Sequence, residues 1–235
     1  MLELKGISSV FYAMSEWIMR FSGVNLLWFG VSLPFFLLFV TVEMSSSGGL
    51  IYFGIAAWLL GSLLFFPATA AVFSVVRDWI METEPSSIAK SYFKHLKADY
   101  RGNAKMGAFF SLIWLLWYYG YFYLYTAKNS LAIILLLFGL AMFVFTVNYL
   151  SINAHYRMSS ISKVKNTFFL SAGKPLMSLA VAFVSGILLW LSTTQLLWLF
   201  PLASCSMIAF LSFSAFYRTA QKIGGSSAVD EPADS

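Results

Sequence analysis

The chain has 235 residues, 60% of them apolar, 19% aromatic and only 11% charged, with a net charge of +5 and a mean hydropathy of +0.77. Soluble domains run at about 45–50% apolar and about 25% charged, so a water-soluble fold is excluded and a polytopic, all-α membrane bundle is indicated. The positive charge is no sign of a nucleic-acid partner, because Lys and Arg gather on the cytoplasmic loops of membrane proteins.

In chain order, Ile7, Val10, Phe11, Met14, Trp17, Ile18 and Phe21 follow helical spacing, with Ser8, Ser15, Glu16 and Arg20 opposite. This predicts an interfacial helix over 7–21, with Glu16 and Arg20 paired at i, i+4. No short apolar core with a small-residue cleavage site opens the chain, so no signal peptide is expected.

A helix needs about 20 apolar residues to cross the ~30 Å hydrocarbon core. Uncharged runs predict spans at about 24–42, 50–76, 106–126 and 131–151. The run 175–217 carries no charge over 43 positions, roughly twice one crossing. It is predicted to turn at the polar STTQ, 192–195, giving spans 175–192 and 195–217 and six in all. Fourteen of the fifteen Lys and Arg then fall on one side, with Lys128 alone opposite. The positive-inside rule places both termini in the cytoplasm. Residues 1–222 form a single transmembrane domain in this reading, and 223–235 a disordered cytoplasmic tail.

Between spans two and three, KSYFKHLKADYR puts Lys90, Lys94, Lys97 and Arg101 at spacings of 4, 3 and 4. A basic interfacial helix is predicted over about 86–101, with Tyr92, Phe93, Leu96 and Tyr100 as its apolar stripe and Pro85 in its first turn. The four cations either hold it to anionic lipid of the inner leaflet or dock a partner. The second basic loop, with Arg157, Lys163, Lys165 and Lys174, follows a similar plan too loosely to be a repeat.

No ionisable residue lies in the centre of any span, which argues against a proton- or sodium-coupled pump. No catalytic, cofactor or metal constellation is visible. His95 and His155 stand alone, and the one cysteine, Cys205, can form neither an intramolecular disulfide nor a multi-cysteine metal site. Pro34, Pro67 and Pro201 are predicted to kink three spans. The kinks either serve packing or frame a solute path, for which Asn25, Asn148 and Gln195 offer uncharged polar groups. Span three carries ten aromatics between Phe109 and Tyr125, read as an interfacial belt or, alternatively, as a stacking platform for sugars.

SEWIMR at 15–20, NLLW at 25–28 and PATAAVFSVVRDW at 67–79, with Phe93, Lys97, Tyr100, Asn103 and Gly107, resemble the YesL-like family of bacterial integral membrane proteins. The matching motif residues include Trp17, Arg20, Asn25, Trp28, Pro67 and Arg77. The resemblance implies a plasma-membrane protein linked to carbohydrate uptake, with components of ABC-type sugar importers as possible partners, and it carries over no catalytic residue. The function expected is a non-catalytic accessory or regulatory subunit. The alternative is a transporter or facilitator for a neutral solute such as an oligosaccharide.

Overall fold

The computed structural model describes residues 2–43, 50–83 and 87–229, and among these it is helical apart from short connections. Pro85, the loop at 44–49 and residues 230–235 of the expected tail lie outside the described residues. The side chains of residues 1–11 and that of Glu43 do so too.

The elements are α1 (Leu2–Glu43), α2 (Leu50–Leu60), a π-helical turn Gly61–Phe65, α3 (Phe66–Ile80), α4 (Ile88–Ala98), α5 (Tyr100–Thr126), α6 (Leu131–His155), α7 (Ser160–Gly173), α8 (Pro175–Trp190) and α9 (Cys205–Val229). Among the described residues, five stretches are long and apolar enough to cross a membrane: Met14–Val40, Ile51–Ile80, Leu131–His155, Pro175–Gln195 and Phe200–Lys222. The chain is thus an all-α helical membrane bundle. The expected third span, α5, has the length, but its Trp and Tyr residues depress its hydropathy. It nevertheless runs antiparallel along two crossing helices. Trp58 Nε1 donates to Ala108 O at 2.9 Å, and Trp117 Nε1 donates to Leu135 O at 2.7 Å.

Several boundaries differ from the sequence expectation. The interfacial helix at 7–21 and the first span are one continuous helix, because FSGVN contains no residue that must end a helix and a single Gly costs only about 1 kcal/mol. The basic helix expected over 86–101 stops at Ala98, and Asp99 leaves helical geometry at φ −133°, ψ 40°. Arg101 therefore belongs to the first turn of α5. The turn expected at STTQ falls instead on Leu196–Leu199. Ser192, Thr193 and Thr194 donate back to the carbonyls of Leu189 and Trp190, and these bonds carry the helix through Gln195 as a π turn. Pro201 then sits at the start of the returning helix, where its missing N–H is harmless, rather than as a mid-span kink. The last helix runs to Val229, into the segment expected as tail.

Helix α3 is the hub. In the span Ile51–Ile80, 67% of the apolar window is buried, against 22–44% in the other candidate spans. Ala68, Ala70, Ala71, Val72, Val75 and Val76 are all at most 1% exposed. These small and β-branched side chains let α1, α5, α6 and α9 approach closely. Pro67 has no N–H to donate, and the chain relieves the resulting mismatch with the π turn before it. Tyr100 donates its hydroxyl to the carbonyl of Leu63 at 2.9 Å, satisfying one freed acceptor. On the opposite wall Gly107 lies so close that a Cβ there would sit 2.8 Å from the carbonyl oxygen of Ser62.

Gly107→Ala should push α5 off the π turn. A loss of about 1–3 kcal/mol is expected, read as a lower melting temperature in detergent. Wild-type melting would show that α5 does not press on that turn.

Candidate functional site

The three sequence motifs converge in space. Trp17 and Phe21 of α1 meet Trp79 of α3 edge-on, with centroids 6.2 and 5.8 Å apart. Trp28 donates its indole N–H to Thr69 Oγ1 at 2.9 Å, which joins NLLW to PATAA. Arg20 pairs with Glu16 at 2.5 Å and lies over the Trp17 ring. Asn25, offered by the sequence as a solute contact, clamps helices instead. Its amide donates to Phe200 O at 2.9 Å, and its carbonyl accepts from Ser206 N at 3.0 Å. Asn148 likewise bonds Ser171, and Gln195 is exposed at the far end of the bundle. Asn25 and Asn148 thus tie helices, though Asn148 Oδ1 is buried without a partner, and Gln195 stands apart from the interior.

One end of the bundle gathers the α3–α4–α5 and α6–α7–α8 connections, and with them most of the charge. There Arg77 donates to Asp78 Oδ1 through Nε (3.0 Å) and Nη2 (2.5 Å), and to Ala154 O of α6 at 2.6 Å. His95 of α4 bonds Asp78 Oδ2 at 2.6 Å. The carboxylate therefore holds α4 onto α3, and Arg77 ties α3 to the end of α6. Tyr92 completes the attachment: fully buried, it donates to Ala68 O at 3.4 Å, and burial pushes its hydroxyl pKa up.

The apolar stripe read from the sequence divides accordingly. Tyr92 faces the bundle and Leu96 packs on the core, while Phe93 and Tyr100 are 41% and 39% exposed. The helix is seated on protein through that face. Lys90, Lys94 and Lys97 are exposed and surround Phe93 in a shallow depression. Arg101, also exposed, lies beyond the break at Asp99 and does not line it. Gly102 makes the break possible, since a Cβ there would overlap the Asp99 carboxylate.

The second loop contains a helix that the sequence reading missed, α7. Its start was legible as an N-cap: Ser159 Oγ accepts from Ser162 N at 3.2 Å. Its charge pattern is turned about. Lys163 points inward, 8% exposed, and donates to Asn153 Oδ1 at 2.7 Å, while Asn153 donates to Asn103 of α5 at 3.0 Å. Burial lowers the Lys163 pKa, and the negative charge of Asp99 partly opposes that. Phe168 and Phe169 are exposed on the other side.

The bundle interior holds a cavity of about 420 Å³ that reaches from Phe39 and Phe53 toward Phe73 and Leu150. Trp28, Phe35, Phe53, Phe65, Phe110 and Trp114 form much of its wall, and no charged residue lines it. The aromatics of α5 beside it stack on one another, Trp117 on Tyr121 at 5.6 Å and Tyr121 on Tyr125 at 5.9 Å. Tyr118, Phe122, Tyr123 and Tyr125 are exposed near the end of α5, as an interfacial belt requires.

Fold and lining together define a polytopic helical membrane protein with a charged, hydrogen-bonded end and an aromatic, apolar interior. Residues 21–121 match the profile of a family described as "Protein of unknown function, DUF624". The YesL-like family is a DUF624 family, so the resemblance carried by the motifs holds over that stretch. The chain is also similar to an uncharacterized protein of Bacillus subtilis (strain 168), YteU, at 34% identity over 103 residues. That match covers 44% of this chain and 36% of YteU, so the chain spans little more than a third of that relative. No solved structure matches.

Asp78→Ala should free α4 and cost about 1–3 kcal/mol, because Arg77 and His95 each lose a partner. Lys163→Met, which strands Asn153 Oδ1, should cost more than Lys163→Gln, which keeps a donor without the charge. Both comparisons are read by melting in detergent. Equal melting of the two Lys163 variants would show that the Asn153 bond contributes nothing.

Proposed function

We propose that this protein is a non-catalytic accessory or regulatory subunit of carbohydrate-uptake machinery in the bacterial plasma membrane, with both termini cytoplasmic. The observation that carries the reading is the seating of α4. Its inner face is taken up by the bundle through Tyr92, Leu96 and the His95–Asp78–Arg77 bonds. Its lysines are left outward around Phe93 on a fixed support. A rigid basic face with an exposed aromatic at its centre suits an acidic protein surface, since rim charges steer association and a desolvated aromatic anchors it. The link to sugar uptake rests on the YesL-like resemblance, whose members' genes accompany such systems. A solute path for oligosaccharide has less support, because the interior cavity is walled mainly by apolar and aromatic side chains and offers few polar groups to a sugar.

Two experiments test this. With Cys205 buried as the native background, cysteines placed at 46 and 128 should react with an impermeant reagent in intact cells, while one at position 95 should not. Labelling at 95 would overturn the orientation. Exchanging Lys90, Lys94, Lys97 and Arg101 together for Gln should leave insertion and melting unchanged and remove the protein that co-purifies from native membranes. If the co-purifying protein stays and binding to anionic vesicles falls, the face serves lipid instead.

A further inference from the structure

The cavity between the spans is not explained by a docking role for the basic end. We propose that it is a binding site for one acyl chain of a bilayer phospholipid, held with its headgroup at the far membrane surface. The first argument is chemical. Most of the polar atoms in its walls are engaged with protein, and only Ser111 and Tyr118 bring further hydroxyls to the lining. Trp28 Nε1 bonds Thr69 Oγ1 at 2.9 Å, and Thr69 in turn donates to Phe65 O at 2.7 Å. Trp114 Nε1 bonds Thr146 Oγ1 at 3.3 Å, and Thr146 donates to Met142 O at 2.8 Å. Ser204 donates to Phe200 O at 2.7 Å. No charged side chain is present to hold a headgroup or an ionic solute. A space of this kind excludes water and accepts hydrocarbon.

The second argument is shape and place. Along α1 the lining runs from Trp28 to Phe39, about 16 Å of helix axis, which is a slot rather than a compact chamber. Its volume of about 420 Å³ falls in the range of small-ligand sites, about 300–1,000 Å³. Toward the far end of the spans Phe39 and Tyr118 are 42% and 41% exposed, although Phe53 beside Phe39 is buried, whereas Trp28 and Phe110 at the inner end are 4% and 3% exposed. The mouth therefore lies toward the end of the spans remote from the basic helices. A lipid of the adjoining leaflet can leave its headgroup in the interface there and extend one tail inward. The source is the bilayer itself, since acyl chains are the medium in which these spans stand.

The test uses the full chain. Native mass spectrometry of protein released from phosphatidylcholine nanodiscs should show one phospholipid retained per chain. Ala57→Trp, which projects into the cavity from α2, should cut that retention by about tenfold or more. Ser111→Leu is the milder filling variant if Ala57→Trp does not fold. Leu37→Trp, on the exposed side of α1, should retain lipid as the wild type does. The proposal is overturned if the wild type retains no phospholipid, or if a filling variant that melts normally retains as much as the wild type. Quenching of tryptophan emission by maltotriose, in protein that retains no phospholipid, would assign the cavity to a neutral solute.

Discussion

Backbone polar groups inside a bilayer have no water to turn to, and the structure is organised around how one helix meets that demand. Pro67 withholds a hydrogen bond in the middle of the chain's most buried span. The helix answers with a π turn at Gly61–Phe65, and Tyr100 reaches in to take the carbonyl of Leu63. A π turn adds a residue per loop, so the two halves of the span need not share one seat in the bundle. Helix α3 lies at the centre, among α1, α5, α6 and α9, whereas α2 packs on α1 and α5 alone. The cavity spans that turn, lined by Phe53 and Ala57 of α2 and by Phe66, Thr69 and Phe73 of α3. The hub and the displaced helix thus follow from one missing donor.

The two ends of the molecule obey different rules. At the basic end charges are bonded to one another and to helix termini, with Asp78 between Arg77 and His95, and Lys163 in series with Asn153 and Asn103. Such networks are costly unless complete, and when complete they fix geometry. Helix α4 is accordingly part of the bundle, and its outward face is a surface of defined shape. At the far end hydroxyls bond back to their own helices, as Thr146 and Ser192 do, and indoles reach across to a neighbouring helix, as Trp117 does to Leu135. What remains there for contact is hydrocarbon and ring edges. The first end presents a charged surface, and the second an apolar, aromatic one.

The sequence motifs gain physical meaning from this division. SEWIMR, NLLW and PATAAVFSVVRDW lie far apart along the chain, yet Trp17, Phe21 and Trp28 of α1 close on Trp79 and Thr69 of α3. Asn25 holds the opening turn of the last helix pair in place through Phe200 and Ser206. Residues that read individually as interfacial anchors or solute contacts are parts of one interface between the first two spans and the last.

Length and apolarity alone determined the class of this protein, because about 20 uncharged apolar residues have few other fates. They also located the uncharged runs, and the charge count marked one set of connections as basic. Periodicity placed the basic helix, apart from Arg101, and the Glu16–Arg20 pair, but read Tyr92 as a membrane-facing residue rather than one buried on α3. Only the tertiary structure decided the rest, since each remaining feature depends on a distant partner. Whether FSGVN breaks or continues α1 depends on what packs beside it. Where the last hairpin turns depends on the hydroxyls of 192–194 finding carbonyls behind them. Lys163 looks like a solvated loop charge until α6 supplies Asn153. The cavity is written in no single segment, because it is the space left among several helices around the π turn, and local sequence encodes the turn's proline but not the neighbours that surround the void.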